Sequence, residues 1–83
     1  MSPKTYMIHS PLMGTFYRAS SPEEKPFVEI GQRVKATDVV CIIESMKVFT
    51  ELRAERAGLV KTVLVENEGP VMKNQDLIEI EIG

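Results

Sequence analysis

One lysine in this sequence lies where its side chain could accept an acyl group. Residues 44–48, ESMKV, join two apolar, strand-like runs at 39–43 and 48–52. A connection this short predicts a tight hairpin whose central pair is Met46 and Lys47. The amine of a lysine at such a corner reaches into solvent and, once deprotonated, is a nucleophile for an activated acyl group. The pattern indicates a modification site, although the same short motif is also typical of an ordinary solvated turn lysine.

The residue types at this corner are unusual for a hairpin. Two-residue hairpins favour turns in which both central residues have positive φ, a conformation that normally selects Asn or Gly. Methionine and lysine are poor choices there, at a cost of about 1 to 3 kcal/mol per residue. A sequence that accepts this strain is expected to expose a particular side chain.

Few other side chains have the spacing that catalysis or metal binding requires. His9 is the only histidine, which excludes a histidine-rich zinc site and leaves no obvious general base, so we predict neither a metal site nor an enzyme. Cys41 lies inside the apolar run VVCII and is predicted to be a small buried hydrophobic residue. As the single cysteine it cannot form an internal disulfide, which fits a reducing compartment. Met7, Met13 and Met72 are predicted to be packing residues.

The composition indicates one globular domain that covers residues 1–83. Hydrophobic residues make up 43% of the chain, and ten Lys and Arg are scattered among twelve Asp and Glu, for a net charge of −2. Nucleic-acid binding requires a concentrated basic face, so nucleic acid is not an expected partner. No apolar run approaches the roughly 18 residues that a spanning helix needs, and no secretory signal precedes the strands. We therefore expect no membrane contact and a location in the cytoplasm, or in the plastid stroma of a eukaryote.

Short strands are the elements that must position the lysine. Residues 79–82 alternate between apolar and acidic types, and residues 59–65 are rich in β-branched types. Residues 39–43 form a continuous apolar run, which is typical of a strand covered on both faces. Five prolines interrupt the chain too often for long helices. The sequence therefore predicts an all-β domain, with turns at four of its five glycines, namely Gly14, Gly31, Gly58 and Gly69.

The two halves of the sequence form a weak internal repeat. A shift of 37 residues aligns residues 28–29 with 65–66, Val34 with Val71, Val40 with Leu77, and residues 43–44 with 80–81. Both copies have the pattern of strand, turn, apolar anchor, polar turn and strand. Two such copies can pack face to face around a pseudo-two-fold axis, each covering the apolar side of the other.

The copies differ in length at one place. Fourteen residues separate Gly14 from Val28, but only seven separate Gly58 from Val65. The extra length lies in residues 19–26, which are Ala19, Ser20, Ser21, Pro22, Glu23, Glu24, Lys25 and Pro26. The two prolines restrict the conformations available to this insertion. Its polar content is also typical of an ordinary surface loop.

Five blocks of sequence, taken in order and with their spacing, carry a resemblance to a known family. The blocks are SPLMGTFY at 10–17, FVEIGQ at 27–32, VCIIESMK at 40–47, AGLV at 57–60 and GPV at 69–71. Across residues 8–82 the chain resembles the biotinyl, or biotin carboxyl carrier, domains of acetyl-CoA carboxylase within the biotinyl/lipoyl family. The resemblance implies a flattened barrel of two four-stranded antiparallel sheets with a modified lysine at an exposed hairpin tip, the position of Lys47.

The same resemblance implies a carrier function and three protein partners. A separate biotin protein ligase would join biotin to the Lys47 amine through an amide bond. A biotin carboxylase would load carboxylate onto this biotin, and a carboxyltransferase would pass it to acetyl-CoA, which gives malonyl-CoA for fatty-acid synthesis. The chain itself would perform no catalysis, because tethering alone raises the effective concentration of biotin at two active sites.

The residues around Lys47 depart from the family's usual tetrapeptide, A-M-K-M, at two positions. Ser45 replaces the alanine and Val48 replaces the second methionine, whereas Met46 is retained. The resemblance implies that the ligase recognises Glu44, Ser45, Met46 and Val48, and that Glu44 also holds the hairpin.

The insertion at residues 19–26 resembles the thumb of the acetyl-CoA carboxylase type, a loop that can lie over the biotin ring. Ala19 stands where some bacterial thumbs have threonine. Two other functions are compatible with the sequence. The chain could be a lipoyl carrier of a 2-oxoacid dehydrogenase complex, although lipoyl sites usually read D-K-A at the tip. It could also be an unmodified β-sandwich that serves only as an interaction module.

Overall fold

A computed structural model describes residues 4–82, which form eight short strands. No helix in this part of the chain is long and apolar enough to cross a membrane. The prediction of one domain over 1–83 includes residues 1–3 and 83, which lie outside the described residues. The strands are β1 (Thr5–His9), β2 (Gly14–Tyr17), β3 (Arg33–Val34), β4 (Val39–Ser45), β5 (Val48–Arg53), β6 (Gly58–Val63), β7 (Pro70–Val71) and β8 (Asp76–Glu81).

The strands pair into two antiparallel sheets of four strands each. Sheet I has the order β1-β8-β6-β3, and sheet II has the order β5-β4-β2-β7. Each central strand therefore pairs with at least one strand that is distant in the sequence. Most residue contacts in the fold are accordingly long-range. This arrangement confirms the predicted fold class, a sandwich of two four-stranded antiparallel sheets.

The internal repeat is visible in the strand order. Exchanging β1 with β5, β8 with β4, β6 with β2, and β3 with β7 converts one sheet order into the other. The turns repeat as well, with equivalent backbone hydrogen bonds 37 residues apart: Gln32 N–H to Glu29 O and Gly69 N–H to Glu66 O, each 3.0 Å or less. The predicted pseudo-two-fold symmetry thus extends from the sequence pattern to the backbone.

Both sheets turn their apolar faces towards one core. Its largest fully buried side chains include Phe16, Ile43, Leu77, Ile78 and Ile80. Because β4 and β8 are central in their sheets, their side chains fill the middle of this core. Removing such surface from water is the main favourable contribution to folding, at about 25 cal/mol per Å².

Cys41 lies in this core with no exposed surface, as the sequence indicated. Burial raises the pKa of its thiol to about 12, because the charged thiolate would be desolvated there. The thiol is therefore a packing group in the folded protein and is poorly suited to act as a nucleophile.

Two predictions about glycines are wrong. Gly14 and Gly58 were expected in turns, but they begin strands β2 and β6. A Cβ at Gly14 would lie 2.3 Å from the carbonyl oxygen of Glu44, and one at Gly58 would lie 2.6 Å from that of Glu81. Close approach of neighbouring strands, and not a turn, is the reason for glycine at these two equivalent positions.

Candidate functional site

Lys47 is one of the two loop residues of the β4–β5 hairpin. The last register pair is Ser45 with Val48, so Met46 and Lys47 form the whole connection. Their φ angles are 52° and 66°, both in the left-handed region. This geometry is that of a primed two-residue turn and confirms the predicted central pair. The hairpin holds two residues that lack any intrinsic preference for the conformation they adopt.

The side chains at this tip are directed away from the body of the protein. Met46 is 91% exposed, and Lys47 is exposed too. Within residues 4–82, Arg53 forms an ion pair with Glu51 and His9 contacts Asp76, and neither pair involves Lys47. The Lys47 amine is therefore accessible to a docking enzyme and is not held by a neighbouring carboxylate.

Glu44 anchors the turn from its N-terminal side. Its carboxylate oxygen Oε2 accepts a 2.8 Å hydrogen bond from the Lys47 backbone N–H. The backbone carbonyl of Glu44 packs directly against Gly14 of the neighbouring strand β2, with no space for a side chain between them. The backbone of Lys47 is thus held against strand β4 of sheet II, while its four-carbon side chain stays free.

A small cleft lies on the outer face of sheet II. Its volume is about 220 Å³ and its lining is mostly apolar. Three segments of the chain form its walls: residues 17–22 at the end of β2 and in the insertion, the β4–β5 hairpin, and the turn that precedes β7. The lining residues are Tyr17, Ala19, Ser20, Ser21, Pro22, Ile42, Phe49, Asn67 and Glu68.

The insertion forms a closed loop. The Phe27 N–H donates a 2.7 Å hydrogen bond to the Arg18 carbonyl, which joins the two ends of the loop. The Arg18 N–H donates to Asn67 Oδ1 at 2.9 Å, which ties the base of the loop to the turn before β7. The first half of the insertion lines the cleft, whereas the second half, Glu23, Glu24, Lys25 and Pro26, is exposed and lies outside it.

Phe49 is a residue of this region that sequence reasoning missed. It is 64% exposed, follows Lys47 by two residues, and lines the cleft on the same sheet. In the register of β4 and β5 it lies opposite Glu44, and so it shares the outer face with Ile42. The alternation of side chains along residues 48–52 could have placed this aromatic ring on the outer face.

The remaining candidate groups are separate from this site. His9 Nε2 lies 3.0 Å from Asp76 Oδ1, beside the other sheet. No cluster of three or more His, Cys, Asp or Glu side chains among the residues that the structure describes could hold a metal ion. The chemistry that the geometry supports is therefore acylation of an exposed amine, at the tip of a hairpin whose strands form one wall of a small apolar cleft.

Two four-stranded sheets related by pseudo-two-fold symmetry, with a lysine at an exposed hairpin tip, define a domain of the biotinyl/lipoyl class. Comparison with known families agrees with this class. Residues 7–81 match the family described as "Biotin-requiring enzyme", and the chain belongs to that family.

Two bacterial relatives share nearly half of their aligned residues with this chain. The biotin carboxyl carrier protein of acetyl-CoA carboxylase from Haemophilus influenzae is 46% identical over 76 residues, which are 92% of this chain and 49% of the relative. The protein of the same name from Pseudomonas aeruginosa is 47% identical over 74 residues, 89% of this chain and 47% of the relative. The chain thus spans about half the length of these relatives.

A chloroplastic relative and a solved structure extend the comparison. The biotin carboxyl carrier protein of acetyl-CoA carboxylase 2 from Arabidopsis thaliana is 42% identical over 73 residues, 88% of this chain and 29% of the relative. The crystal structure of Kluyveromyces lactis urea carboxylase matches with a TM-score of 0.77 and 28% identity, over 96% of this chain and 6% of that one.

Proposed function

We propose that this chain is a biotin carboxyl carrier domain of an acetyl-CoA carboxylase, with biotin joined covalently to Lys47. The observation that carries the proposal is the geometry of the β4–β5 tip, where an exposed amine stands on a turn anchored by Glu44. The family match and the names of the relatives support biotin as the attached group. The departures Ser45 and Val48 leave the amine and its anchor unchanged.

Attachment requires an activated biotinyl group, which a biotin protein ligase makes from biotin and ATP. The Lys47 amine, after losing its proton to solvent, attacks the carbonyl carbon of the biotinyl adenylate. The new C–N amide bond forms as the bond between that carbon and the phosphate oxygen breaks, the nitrogen releases its second proton to solvent, and AMP leaves. This chain contributes the nucleophile and its exposure, and the ligase contributes the activation. Glu44, Ser45, Met46 and Val48 are the proposed contacts of the ligase beside Lys47.

The cleft on sheet II has the size and lining for the ring end of biotin. Phe49 and Ile42 offer apolar surface on the sheet, and Ser20 and Ser21 on the insertion offer hydroxyl groups to a polar ring. Ala19 has no side-chain hydrogen-bonding group, so the serines are the candidate donors from the insertion. When bound, biotin supplies a ureido nitrogen that can carry a carboxylate. The insertion, acting as a thumb, would limit the motion of the ring.

The role of the domain is positional, and we propose no catalysis by the chain itself. Its partners in this function are the biotin protein ligase, a biotin carboxylase and a carboxyltransferase that uses acetyl-CoA. A flexible biotinyl-lysine side chain on a fixed backbone raises the effective concentration of biotin at each active site in turn. The cytoplasm, or the plastid stroma of a eukaryote, is the proposed location. Nucleic acid and membrane have no part in it.

Intact-mass measurement tests the attachment. After incubation with biotin protein ligase, ATP and biotin, we expect a gain of one biotinyl group, which the Lys47→Arg variant lacks. Lys61→Arg, which changes another exposed lysine, in β6, is the matched control and should gain the group normally. Absence of biotinylation in the unchanged chain would contradict the proposal. Efficient modification by a lipoate ligase without biotin uptake would instead favour the lipoyl carrier.

A second experiment tests the assigned carboxylase. Biotinylated chain is incubated with biotin carboxylase, ATP and labelled bicarbonate, and then with carboxyltransferase and acetyl-CoA. Label is expected in malonyl-CoA, and the Lys47→Arg variant should transfer none. Transfer of label to another acceptor, such as pyruvate, with none to acetyl-CoA would indicate that the domain belongs to a different biotin-dependent carboxylase.

A further inference from the structure

The turn that precedes β7 repeats the turn that precedes β3, with a different residue at one strained position. The Gly31 N–H donates a 2.8 Å hydrogen bond to the Val60 carbonyl in β6. The equivalent Glu68 N–H, 37 residues later, donates a 2.7 Å bond to the Phe16 carbonyl in β2. Both residues have a positive φ, 90° for Gly31 and 67° for Glu68. Glycine adopts this conformation freely, whereas a glutamate in it carries backbone strain.

The surroundings of the two equivalent positions differ. A Cβ added at Gly31 would meet no other atom within 4 Å. Glu68 instead lines the cleft on sheet II, which the insertion also lines. The second copy of the repeat has no such insertion. The strained glutamate therefore lies where the insertion breaks the symmetry of the fold, and strained residues concentrate at sites that hold a ligand.

Glu68 supplies the only carboxylate among the residues that line the cleft. No basic side chain among residues 4–82 lies within ion-pair distance of it. The neighbouring Asn67 Oδ1 accepts a bond from the Arg18 N–H, so the groups that Asn67 offers to a ligand are its two amide donors. A carboxylate accepts hydrogen bonds and donates none, and bonds to it are stronger than bonds to a neutral oxygen. The turn before β7 thus gives the cleft a strong, unpaired side-chain acceptor.

We propose that Glu68 makes the cleft selective for one state of the biotin ring: its carboxylate accepts hydrogen bonds from the ureido N–H groups of the uncarboxylated ring and repels the ring that carries a carboxylate. This inference rests on the proposed function, in which biotin is attached to Lys47. The ureido group has two N–H donors and a carbonyl acceptor. Its donors match Glu68, and its carbonyl matches the hydroxyl groups of the insertion.

Carboxylation changes this match. The carboxylate, which comes from bicarbonate, replaces one ureido proton as the new N–C bond forms, and the proton leaves. Glu68 then loses a donor and faces a second negative charge in a mostly apolar cleft, where like charges repel. The cleft therefore holds the ring that has delivered its carboxylate and leaves the loaded ring free for the carboxyltransferase.

Hydrogen exchange of the ureido N–H groups tests the contact. The chain is biotinylated with ¹⁵N-labelled biotin and compared with free biotinyl-lysine by nuclear magnetic resonance. We expect exchange to be about three- to tenfold slower in the parent, the effect of one hydrogen bond at a solvated site. Glu68→Gln, which keeps the side-chain size and removes the charge, should lose part of this protection, and Glu68→Gly should lose all of it.

Glu66→Gln is the matched control, because it removes the same charge from the same turn. Glu66 is exposed and does not line the cleft, so its variant should show parental exchange. Thermal unfolding excludes loss of the fold as a cause. Glu68→Gly should unfold at or above the parental Tm, since glycine adopts this φ without strain.

Relaxation of the ureido nitrogen that keeps its proton tests the selectivity. The biotinylated chain is carboxylated with biotin carboxylase, ATP and bicarbonate and is then separated from the enzyme. In the parent, this nitrogen should be restricted before carboxylation and as mobile as in free biotinyl-lysine afterwards. In Glu68→Gln the two ring states should differ less, because the repulsion is absent.

Two results would overturn the inference and leave the attachment of biotin to Lys47 intact. One is equal N–H exchange in the parent and in Glu68→Gly, which would make Glu68 an ordinary solvated turn residue. The other is a carboxylated ring that is as restricted in the parent as the uncarboxylated ring. A parent chain that accepts no biotin would instead contradict the proposed function, and this inference with it.

Discussion

The Glu44 carboxylate and the Lys47 backbone N–H are joined by a 2.8 Å hydrogen bond across the β4–β5 turn. The bond spans three residues and satisfies a donor that the two-residue loop leaves without a strand partner. The bond restricts the backbone of Lys47 and makes no contact with its side-chain amine. Two requirements of a carrier are thus met by different atoms of one residue: a fixed main chain and a mobile side chain.

Loss of this bond is expected to loosen the tip while the sheet stays intact. Glu44→Ala removes the acceptor, and we expect amide hydrogen exchange at Lys47 to accelerate and unfolding free energy to fall by about 0.5 to 1 kcal/mol, because the bond is solvent-exposed. Glu44→Gln retains an acceptor oxygen and serves as the control. Equal exchange rates in the parent and in Glu44→Ala would show that the carboxylate does not hold the turn.

Gly14 is expected to be required at the base of the same hairpin. A methyl group there would meet the Glu44 carbonyl oxygen at 2.3 Å, so Gly14→Ala must push β2 away from β4. We expect a loss of about 1 to 3 kcal/mol in unfolding free energy, measured by urea denaturation. Gly58→Ala, at the equivalent position of the other sheet, should behave alike.

Gly31→Asn provides the contrast for these two variants. Gly31 has a φ of 90°, and a Cβ added there would meet no other atom within 4 Å. Asn tolerates positive φ better than most residues. The effect of this substitution should therefore stay within about 0.5 kcal/mol. A Gly14→Ala protein as stable as Gly31→Asn would mean that the close strand approach is not needed.

The hairpin and the repeat could be predicted because both are local or periodic signals. A two-residue link between apolar runs defines a turn, and the 37-residue shift aligns β3 with β7 and β4 with β8.

The cleft could not be predicted in the same way, since its walls come from residues 19–22, from Phe49 and from the turn at 67–68. The packing prediction is wrong for Met13 and Met72, which are 61% and 62% exposed. They lie just beyond the ends of β2 and β7, and residue type alone does not specify where a strand ends. Gly14 and Gly58 lie in strands because neighbouring strands approach closely there, and no sequence pattern directly encodes the distance between strands.

Cys41 is expected to make stability depend on pH above neutrality. Burial raises the pKa of its thiol from the ordinary 9.0 to about 12, so the unfolded chain loses this proton first as the pH rises. The favourable contribution of the neutral, buried thiol is complete below pH 9 and is lost progressively between pH 9 and 12. Between pH 8 and 10, the parent should lose about 1 kcal/mol relative to Cys41→Ala, which has no thiol to titrate.

Urea denaturation of both proteins at the two pH values measures this difference directly. The alanine variant controls for tyrosine and lysine groups that titrate in the same range. Alkylation gives an independent check, because the thiol should react with iodoacetamide at pH 8 only at the rate of unfolding. Fast alkylation of the folded protein, or parallel pH profiles of the two proteins, would contradict a buried neutral thiol.

The insertion is expected to be dispensable for folding and for attachment but not for confining the attached ring. Its ends are joined by the hydrogen bond between Phe27 N–H and Arg18 O, so replacement of residues 19–26 by two glycines can close the chain there. We expect the Tm and the rate of biotinylation to stay near those of the parent. Removing Ser20, Ser21 and Pro22 eliminates one wall of the cleft, so the ring should become as mobile as in free biotinyl-lysine.

Nuclear relaxation of ¹⁵N-labelled ureido nitrogens in the biotinylated proteins measures this mobility. The parent should show a restricted ring, and the shortened chain a free one. Glu23→Gln with Glu24→Gln alters only the exposed half of the insertion and should leave the ring restricted, which separates an effect of the cleft from an effect of loop charge. A ring that is already free in the parent would show that residues 19–26 are an ordinary surface loop, because a wall that the ring never contacts cannot slow its motion.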